Sequence, residues 1–224
     1  MPPSRSTFAA AVSNPKSVVE HYKDFDDYDA TVVTEYGYSA HQRVPSAILA
    51  RVGANKRLRV LDLGCGTGLS SALFLDNGHA VVGVDVSEQM IQQAREKGSY
   101  ERLECCSVQE AVSMLAGEHF DVVVLIGVME FIADPSAFLQ SLVPLLAATG
   151  GGASYLGIAV PEKQPAAVER RFEILTHEPE PMLTAMSEAG LTLVYDESFV
   201  GYDLGSSIVG YRGFCWEQAH HDSH

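Results

Sequence analysis

LRVLDLGCGTG, at residues 58–68, decides the fold. Leu58, Val60, Leu61 and Leu63 form a short apolar run with a β-branched centre, which suits a strand buried on both faces. The chain passes Asp62 and then bends through Gly64, Gly66 and Gly68, alternate glycines that permit positive φ and let a ligand approach the backbone. The following LSSALFLDNG puts Leu69, Ala72 and Leu73 on one face and stops at Gly78, which predicts a helix. Buried strand, glycine loop and helix N-terminus together predict a nucleotide-type site at the carboxyl edge of a parallel sheet.

Downstream, HAVVGVDVS is a second apolar run, ending at Asp85. SEQMIQQAREKG predicts a helix capped by Ser87, with Met90, Ile91 and Ala94 inward and Gly98 as its stop. YERLECCSV reads as a third strand and QEAVSMLAG as a helix. Residues 120–126 make a strong fourth strand, and PSAFLQSLVPLLA is a helix with Pro135 at its start and Pro144 near its end. GGGASYLGIAV is the fifth strand, EPMLTAMSEAGL a helix stopping at Gly190. LTLVYDESFVGY and SSIVGYRGFCWEQ read as a closing hairpin joined around residues 203–205. Repeated β-α alternation followed by a hairpin predicts an α/β fold whose open, mostly parallel sheet has an antiparallel edge.

Upstream, residues 1–15 are expected to be a disordered leader rich in Pro, Ser and Ala. The acidic segment from Ser17 carries Tyr22, Phe25, Tyr28, Tyr36 and Tyr38 and reads as one or two short helices broken at Gly37. It is either a cap lying on the sheet or a lid whose tyrosines close over a ligand, two compatible readings. Pro45 is expected to open the next short helix, SAILARV. The organisation is thus a leader and helical cap at 1–44, one domain at 45–218 and a tail at 219–224.

With 224 residues and 46% hydrophobic content, the chain can bury one sizeable core. No apolar run approaches the ~18 residues of a membrane helix, so no membrane partner is expected. Fifteen basic against 29 acidic side chains give a formal charge of −14, a balance that repels phosphate backbones and disfavours nucleic-acid partners. Cys65, Cys105, Cys106 and Cys215 show no C-x-x-C spacing, which argues against a disulfide framework or zinc site and for a reducing, cytoplasmic setting. The closing AHHDSH reads as a frayed tail, and no metal is expected.

Asp85, at the tip of the second strand, can accept hydrogen bonds from both hydroxyls of a ribose held over the first loop. The loop order differs from the dinucleotide pattern G-x-G-x-x-G, and Asp62 beside it would oppose a pyrophosphate. That acid suits an ammonium group, while backbone amides around Gly64 to Gly66 could hold a carboxylate. An amino-acid zwitterion attached to a ribose describes S-adenosylmethionine.

VLDLGCGTG, then GVDVS, FDVVV and the late LVPLLAATGGG resemble the class I S-adenosylmethionine-dependent methyltransferases, from about Pro45 to Gln218. YDATVVTEYGY before the core is similar to the small Williams–Beuren-region type. The resemblance implies a Rossmann-like α/β fold with seven strands in the order 3-2-1-4-5-7-6, strand seven antiparallel, helices on both faces and an N-terminal helical cap. It implies S-adenosylmethionine as cofactor and S-adenosylhomocysteine as product. Asp62, Gly64 and Gly66 would meet the methionine moiety, with Cys65 and Gly68 completing the loop. Asp85 would take the ribose, and Val86 and Met90 would lie at the adenine. The family often has an Asp after strand three for the adenine amino group; Ser107, Val108 and Gln109 stand there instead, leaving Gln109 or backbone groups to do it. Ile126 and Gly127 would supply carbonyls to the methionine end.

Methyl transfer is an in-line displacement from a sulfonium, so the protein must align and desolvate the nucleophile, with a base where the acceptor is weakly acidic. The segment IGVMEF after strand four is not the N-P-P-Y of amide or base-nitrogen methylation in this family. Candidates facing a small-molecule acceptor are Met129, Arg171 and the tyrosines Tyr22, Tyr28 and Tyr38, with Glu130, Tyr155 and His177 as catalytic candidates. Each has a plainer reading: Glu130 as a solvated helix end, Tyr155 as core, His177 as a surface histidine, Arg171 as partner of Glu169 or Glu173. The activity expected is methylation of O, N or S on a small molecule. The alternatives are a cofactor-binding partner or sensor without catalysis, a protein or RNA methyltransferase, and an NAD-dependent oxidoreductase.

Overall fold

The structure is a computed structural model and describes residues 27–52, 56–148, 152–162, 175–203, 205 and 208–220. The expected leader, Tyr22, Phe25 and Arg171 lie outside these residues. Seven strands, β1 (Arg59–Leu63), β2 (Ala80–Asp85), β3 (Arg102–Cys105), β4 (Val122–Ile126), β5 (Gly152–Pro161), β6 (Thr192–Asp203) and β7 (Ile208–His220), form one sheet in the order β3-β2-β1-β4-β5-β7-β6. The first five are parallel, and β7 runs antiparallel to both β5 and β6. This is the order the resemblance implies.

Alternation along the strands divides the core, because successive side chains point to opposite faces. Leu61, Leu63, Val82, Val84, Val123, Leu125, Leu156 and Ile158 pack on one face against α4 (Val108–Met114), α5 (Pro135–Leu142) and α6 (Pro179–Glu188). On the other face Val60, Val81, Val122, Val124 and Ala159 meet Val44 and Ile48 of α1 (Ala40–Leu49) and Phe74 of α2 (Leu69–Asp76). α3 (Glu88–Lys97) follows β2 and buries Met90, Ile91 and Ala94, with the Ser87 hydroxyl accepting from the Met90 amide. No helix among the described residues is long and apolar enough to cross a membrane.

Four sequence expectations change. α1 begins at Ala40, so Pro45 lies inside it and the boundary drawn at 44/45 falls within a helix. The buried stripe of Ala40, His41, Val44, Pro45 and Ile48 extends one turn further upstream than the proline, and packing tolerates the missing amide donor. α5 stops at Leu142, and Pro144 instead sits in the tighter turn Val143–Leu145. β4 starts at Val122, because Phe120 pairs with Leu146 in a separate bridge. β7 continues to His220, two residues past the boundary drawn at 218.

α1 rests on a glycine. A Cβ added at Gly157, mid-β5, would lie 2.7 Å from Val44 Cγ1 and 2.8 Å from Ile48 Cδ1. Gly157→Ala is expected to push α1 off the sheet and lower stability by roughly 1–3 kcal/mol, read as a lower urea midpoint at unchanged slope.

Candidate active site

Gly64, Gly66 and Gly68 all take positive φ (76°, 53° and 94°), the conformation the sequence requires of them. Two of the three are packed tightly. A Cβ at Gly64 would lie 2.2 Å from Val128 Cγ2, and one at Gly68 would lie 2.4 Å from the Tyr100 hydroxyl. Gly66 has nothing within 4 Å of that position, and Gly127, at the end of β4 with φ of 77°, has only the Tyr38 hydroxyl at 3.4 Å. The space above the loop is therefore bounded by Gly66 on the β1 side and Gly127 on the β4 side.

The loop amides do not point freely at a ligand carboxylate, as the sequence suggests. Gly64 N and Cys65 N both donate to the Val84 carbonyl, at 2.8 and 2.9 Å, and Gly66 N donates to Asp85 Oδ2 at 2.9 Å. The loop closes on the edge of β2 and satisfies itself. Asp85 Oδ1 accepts from Ser87 N at 2.8 Å. Burial raises the Asp85 carboxyl, opposed by these backbone bonds. An ionised carboxylate has about four lone-pair sites, so acceptor capacity remains for a ligand's hydroxyls.

Asp62 is fully buried. Its Oδ2 accepts from the Ser70 and Ser71 hydroxyls at 2.7 and 2.5 Å, while Oδ1 has no hydrogen-bond partner among the described residues. Burial pushes this carboxyl up to about 6. Cys65 is also buried, and burial holds its thiol well above the ordinary range. Val86 is half-buried beyond β2, and Met90 is buried on α3.

After β3, Ser107 is a cap and not a free recognition group. Its hydroxyl accepts from Glu110 N while the Glu110 carboxylate accepts from the Ser107 amide, a reciprocal box that uses both. Val108 is half-buried and Gln109 exposed in the first turn of α4. Ile126 is buried at the end of β4.

The N-terminal segment is tied to this loop. A short π-helix at Ala30–Glu35 precedes α1, and Asp29 before it accepts from the Thr67 hydroxyl at 2.5 Å and pairs with Lys97 of α3. The Tyr36 carbonyl accepts from Asp203 N at 2.7 Å, which joins the segment to the end of β6 as well.

Beyond β4 the side chains sort differently from expectation. Tyr155 pairs with Val122 and Glu217, at the amino edge of the sheet and four residues from the end of β4, so it cannot reach the loop. Burial, with Glu217 beside it, pushes its phenol up to about 12. Met129 is wholly buried in the core and presents no side chain to a substrate. Glu130, far from being a solvated helix end, is 5% exposed; its Oε1 accepts from the Tyr211 hydroxyl at 2.7 Å and Oε2 has no partner among the described residues. Burial raises its carboxyl. His177 Nε2 lies 2.8 Å from the Met129 carbonyl, and Leu175 N donates to the Glu130 carbonyl at 3.2 Å.

Tyr38 is buried at the centre of this group. Its ring stacks on Tyr202 (centroids 4.8 Å, 13°) and meets Tyr211 edge-on at 5.9 Å, while Tyr28 is half-buried against the same cluster. Tyr202 and Tyr211 are functional candidates the sequence reading lacks. The pairing of Tyr211 with Pro161 brings β7 back to the carboxyl end of β5. The hairpin signal alone could have placed them there, once strand seven was set antiparallel beside strand five.

Comparison with known proteins gives three kinds of match. Residues 61–152 fit a family model described as a methyltransferase domain. A ubiquinone biosynthesis O-methyltransferase of Parvibaculum lavamentivorans is 41% identical over 92 residues, 40% of this chain and 36% of the relative. A tRNA 5-carboxymethoxyuridine methyltransferase of Escherichia coli is 36% identical over 101 residues, 42% of this chain and 38% of the relative. The chain therefore spans little more than a third of the length of these curated relatives. Among solved structures, a Burkholderia thailandensis 1,6-didemethyltoxoflavin-N1-methyltransferase superposes with a TM-score of 0.67 at 21% identity, covering 98% of this chain and 93% of that one. The magnesium protoporphyrin IX methyltransferase of Synechocystis PCC 6803 gives 0.63 at 17%, covering 96% and 97%. At these identities the superpositions establish the fold alone.

Proposed function

We propose, for a chain that belongs by its fold and its matched residues 61–152 to the class I S-adenosylmethionine-dependent methyltransferases, that it transfers a methyl group to O, N or S of a small-molecule acceptor. The observation that carries this reading is one arrangement: Asp85 accepts from the Gly66 amide in the open part of the glycine loop, and Asp62, on β1 before that loop, keeps an Oδ1 without a partner among the described residues. The cofactor, when bound, supplies a methyl group on a sulfonium sulfur.

Asp85 keeps acceptor capacity for ribose hydroxyls, and Asp62 Oδ1 offers charge to an ammonium, directly or through a water. Val86 and Met90 provide an apolar wall for the adenine, whose amino group falls to Gln109 or to backbone atoms. Ile126 and Gly127, ending β4, line the methionine side. The acceptor enters beyond Gly127, where Glu130, His177 and Tyr38 gather. Burial raises the Glu130 carboxyl, which favours its protonated form, and that form would donate a hydrogen bond to an acceptor atom.

The matched relatives include an O-methyltransferase named for ubiquinone biosynthesis and a tRNA methyltransferase. The formal charge of −14 favours the small-molecule alternative over RNA. Titration calorimetry with S-adenosylhomocysteine tests the first half, with one site per chain expected. Formation of S-adenosylhomocysteine from S-adenosylmethionine across a panel of phenols, amines and thiols tests the second. Heat with NAD but none with S-adenosylhomocysteine would overturn the assignment, and binding without turnover on any acceptor would make the protein a sensor or partner subunit.

A further inference from the structure

Nothing in the sequence singles out His41, yet the fold carries it to the acceptor side. Val44 and Ile48, on the same face of α1, sit over Gly157, and Val44 also touches the Gly213 position. Gly157 pairs with Val124 and Gly213 with Ala159, which itself pairs with Ile126. α1 therefore runs along the sheet from its carboxyl edge toward its amino edge, and His41, one turn before Val44, lies past the end of β4. There its ring stacks on Tyr38 (centroids 5.7 Å, 25°), whose hydroxyl stands over Gly127.

The side chain is 6% exposed, and Nδ1 has no hydrogen-bond partner among the described residues. A structural histidine so deeply buried would normally be bonded, because an unsatisfied buried nitrogen weakens the fold. Asp29 faces it from the N-terminal turn, Tyr38 covers one side with Tyr202 and Tyr211 behind, and Arg43 of the same helix is taken by Glu197 at 2.8 Å. Burial lowers the imidazole more than Asp29 raises it, so the ring is neutral at neutral pH and its free nitrogen can accept a proton. Glu130 repeats the pattern at the far side of the tyrosines, with one oxygen bonded to Tyr211 and the other without a partner among the described residues.

We propose that His41 is a catalytic residue, the base that takes the proton of an uncharged O–H acceptor lying between Tyr38 and the end of β4. This rests on the methyltransferase reading above. The acceptor oxygen bonds the methyl carbon as the carbon–sulfur bond breaks and its pair stays on sulfur. The O–H proton passes to Nδ1 and leaves to water with the product. An aromatic lining beside a neutral imidazole suits a flat phenol.

The test compares wild type with His41→Asn in the full chain, using catechol and 4-nitrocatechol, the second already ionised at pH 8 and so needing no base. His41→Asn is expected to lower kcat on catechol by about 10²–10⁴-fold and on 4-nitrocatechol by less than about tenfold. S-adenosylhomocysteine affinity by calorimetry should stay within about twofold, and the imidazole NMR signal of His41 should shift when catechol is added to the S-adenosylhomocysteine complex. Equal losses on both acceptors, or an imidazole signal that does not move, would overturn the base assignment. A wild type that binds S-adenosylhomocysteine but methylates neither phenol overturns the O–H acceptor. No binding even in wild type sinks the parent reading instead.

Discussion

Replacing Asp85 with alanine is expected to weaken S-adenosylhomocysteine binding by at least about a hundredfold. Two losses coincide in that one change. The carboxylate is the acceptor for the Gly66 amide at 2.9 Å and the Ser87 amide at 2.8 Å, so it latches the glycine loop to the start of α3. It is also the acid at the tip of β2, where ribose hydroxyls would be read. Hydrogen bonds to a charged group contribute about 1.5–3 kcal/mol each, and two lost toward the ligand correspond to roughly 10²–10⁴ in affinity. Asp85→Asn should fall between, because one oxygen survives while the new amide faces an N–H donor. The fold should persist in both variants, since the Ser87 hydroxyl still caps α3. Calorimetry with a melting curve as control checks this, and near-wild-type affinity in the alanine variant would remove the ribose from this position.

The sheet was legible in the sequence because burial writes a pattern of its own. Val122 to Ile126 is apolar throughout since both faces are covered, and the three glycines fall where the backbone needs positive φ. Asp85 was legible from its place at the end of such a run. What stayed hidden depends on register and long-range packing. Tyr155 looked like a site residue because the sequence does not show the register of β5 against β4; β5 has ten residues to the five of β4, and its tyrosine falls level with Val122. Glu130 looked solvated because nothing local announces that Tyr211, 81 residues later, will bond it. His41 was masked by the proline four residues on, which suggested that the helix had not yet begun. The amides of Gly64 and Cys65 looked available because their acceptor, the Val84 carbonyl, belongs to another strand.

Asp62→Asn is expected to stabilise the protein at pH 8 and to weaken its cofactor binding at the same time. Burial lifts the folded-state carboxyl from 3.8 to about 6, so the folded chain holds this proton more tightly than the unfolded chain does. The contribution to stability is thus full below about pH 4 and is lost as pH rises through about 6. At pH 8 the buried carboxylate costs about 3 kcal/mol by that shift, an order-of-magnitude figure. Asparagine keeps an oxygen for the Ser70 and Ser71 hydroxyls and carries no charge to bury, so part of that cost, about 1–3 kcal/mol, should return as a higher urea midpoint at pH 8 and vanish near pH 4. The ligand should respond with the opposite sign. An ionised Oδ1 attracts an ammonium group, so wild-type affinity for S-adenosylhomocysteine should rise as pH passes through about 6, whereas the asparagine variant should bind about tenfold or more weakly at pH 8 and show a flatter profile. Urea unfolding and calorimetry across pH 5 to 8 measure both effects on the same pair of proteins. If stability and affinity both stayed put, the acid would be a passive anchor for two serines and the ammonium would have to be held elsewhere.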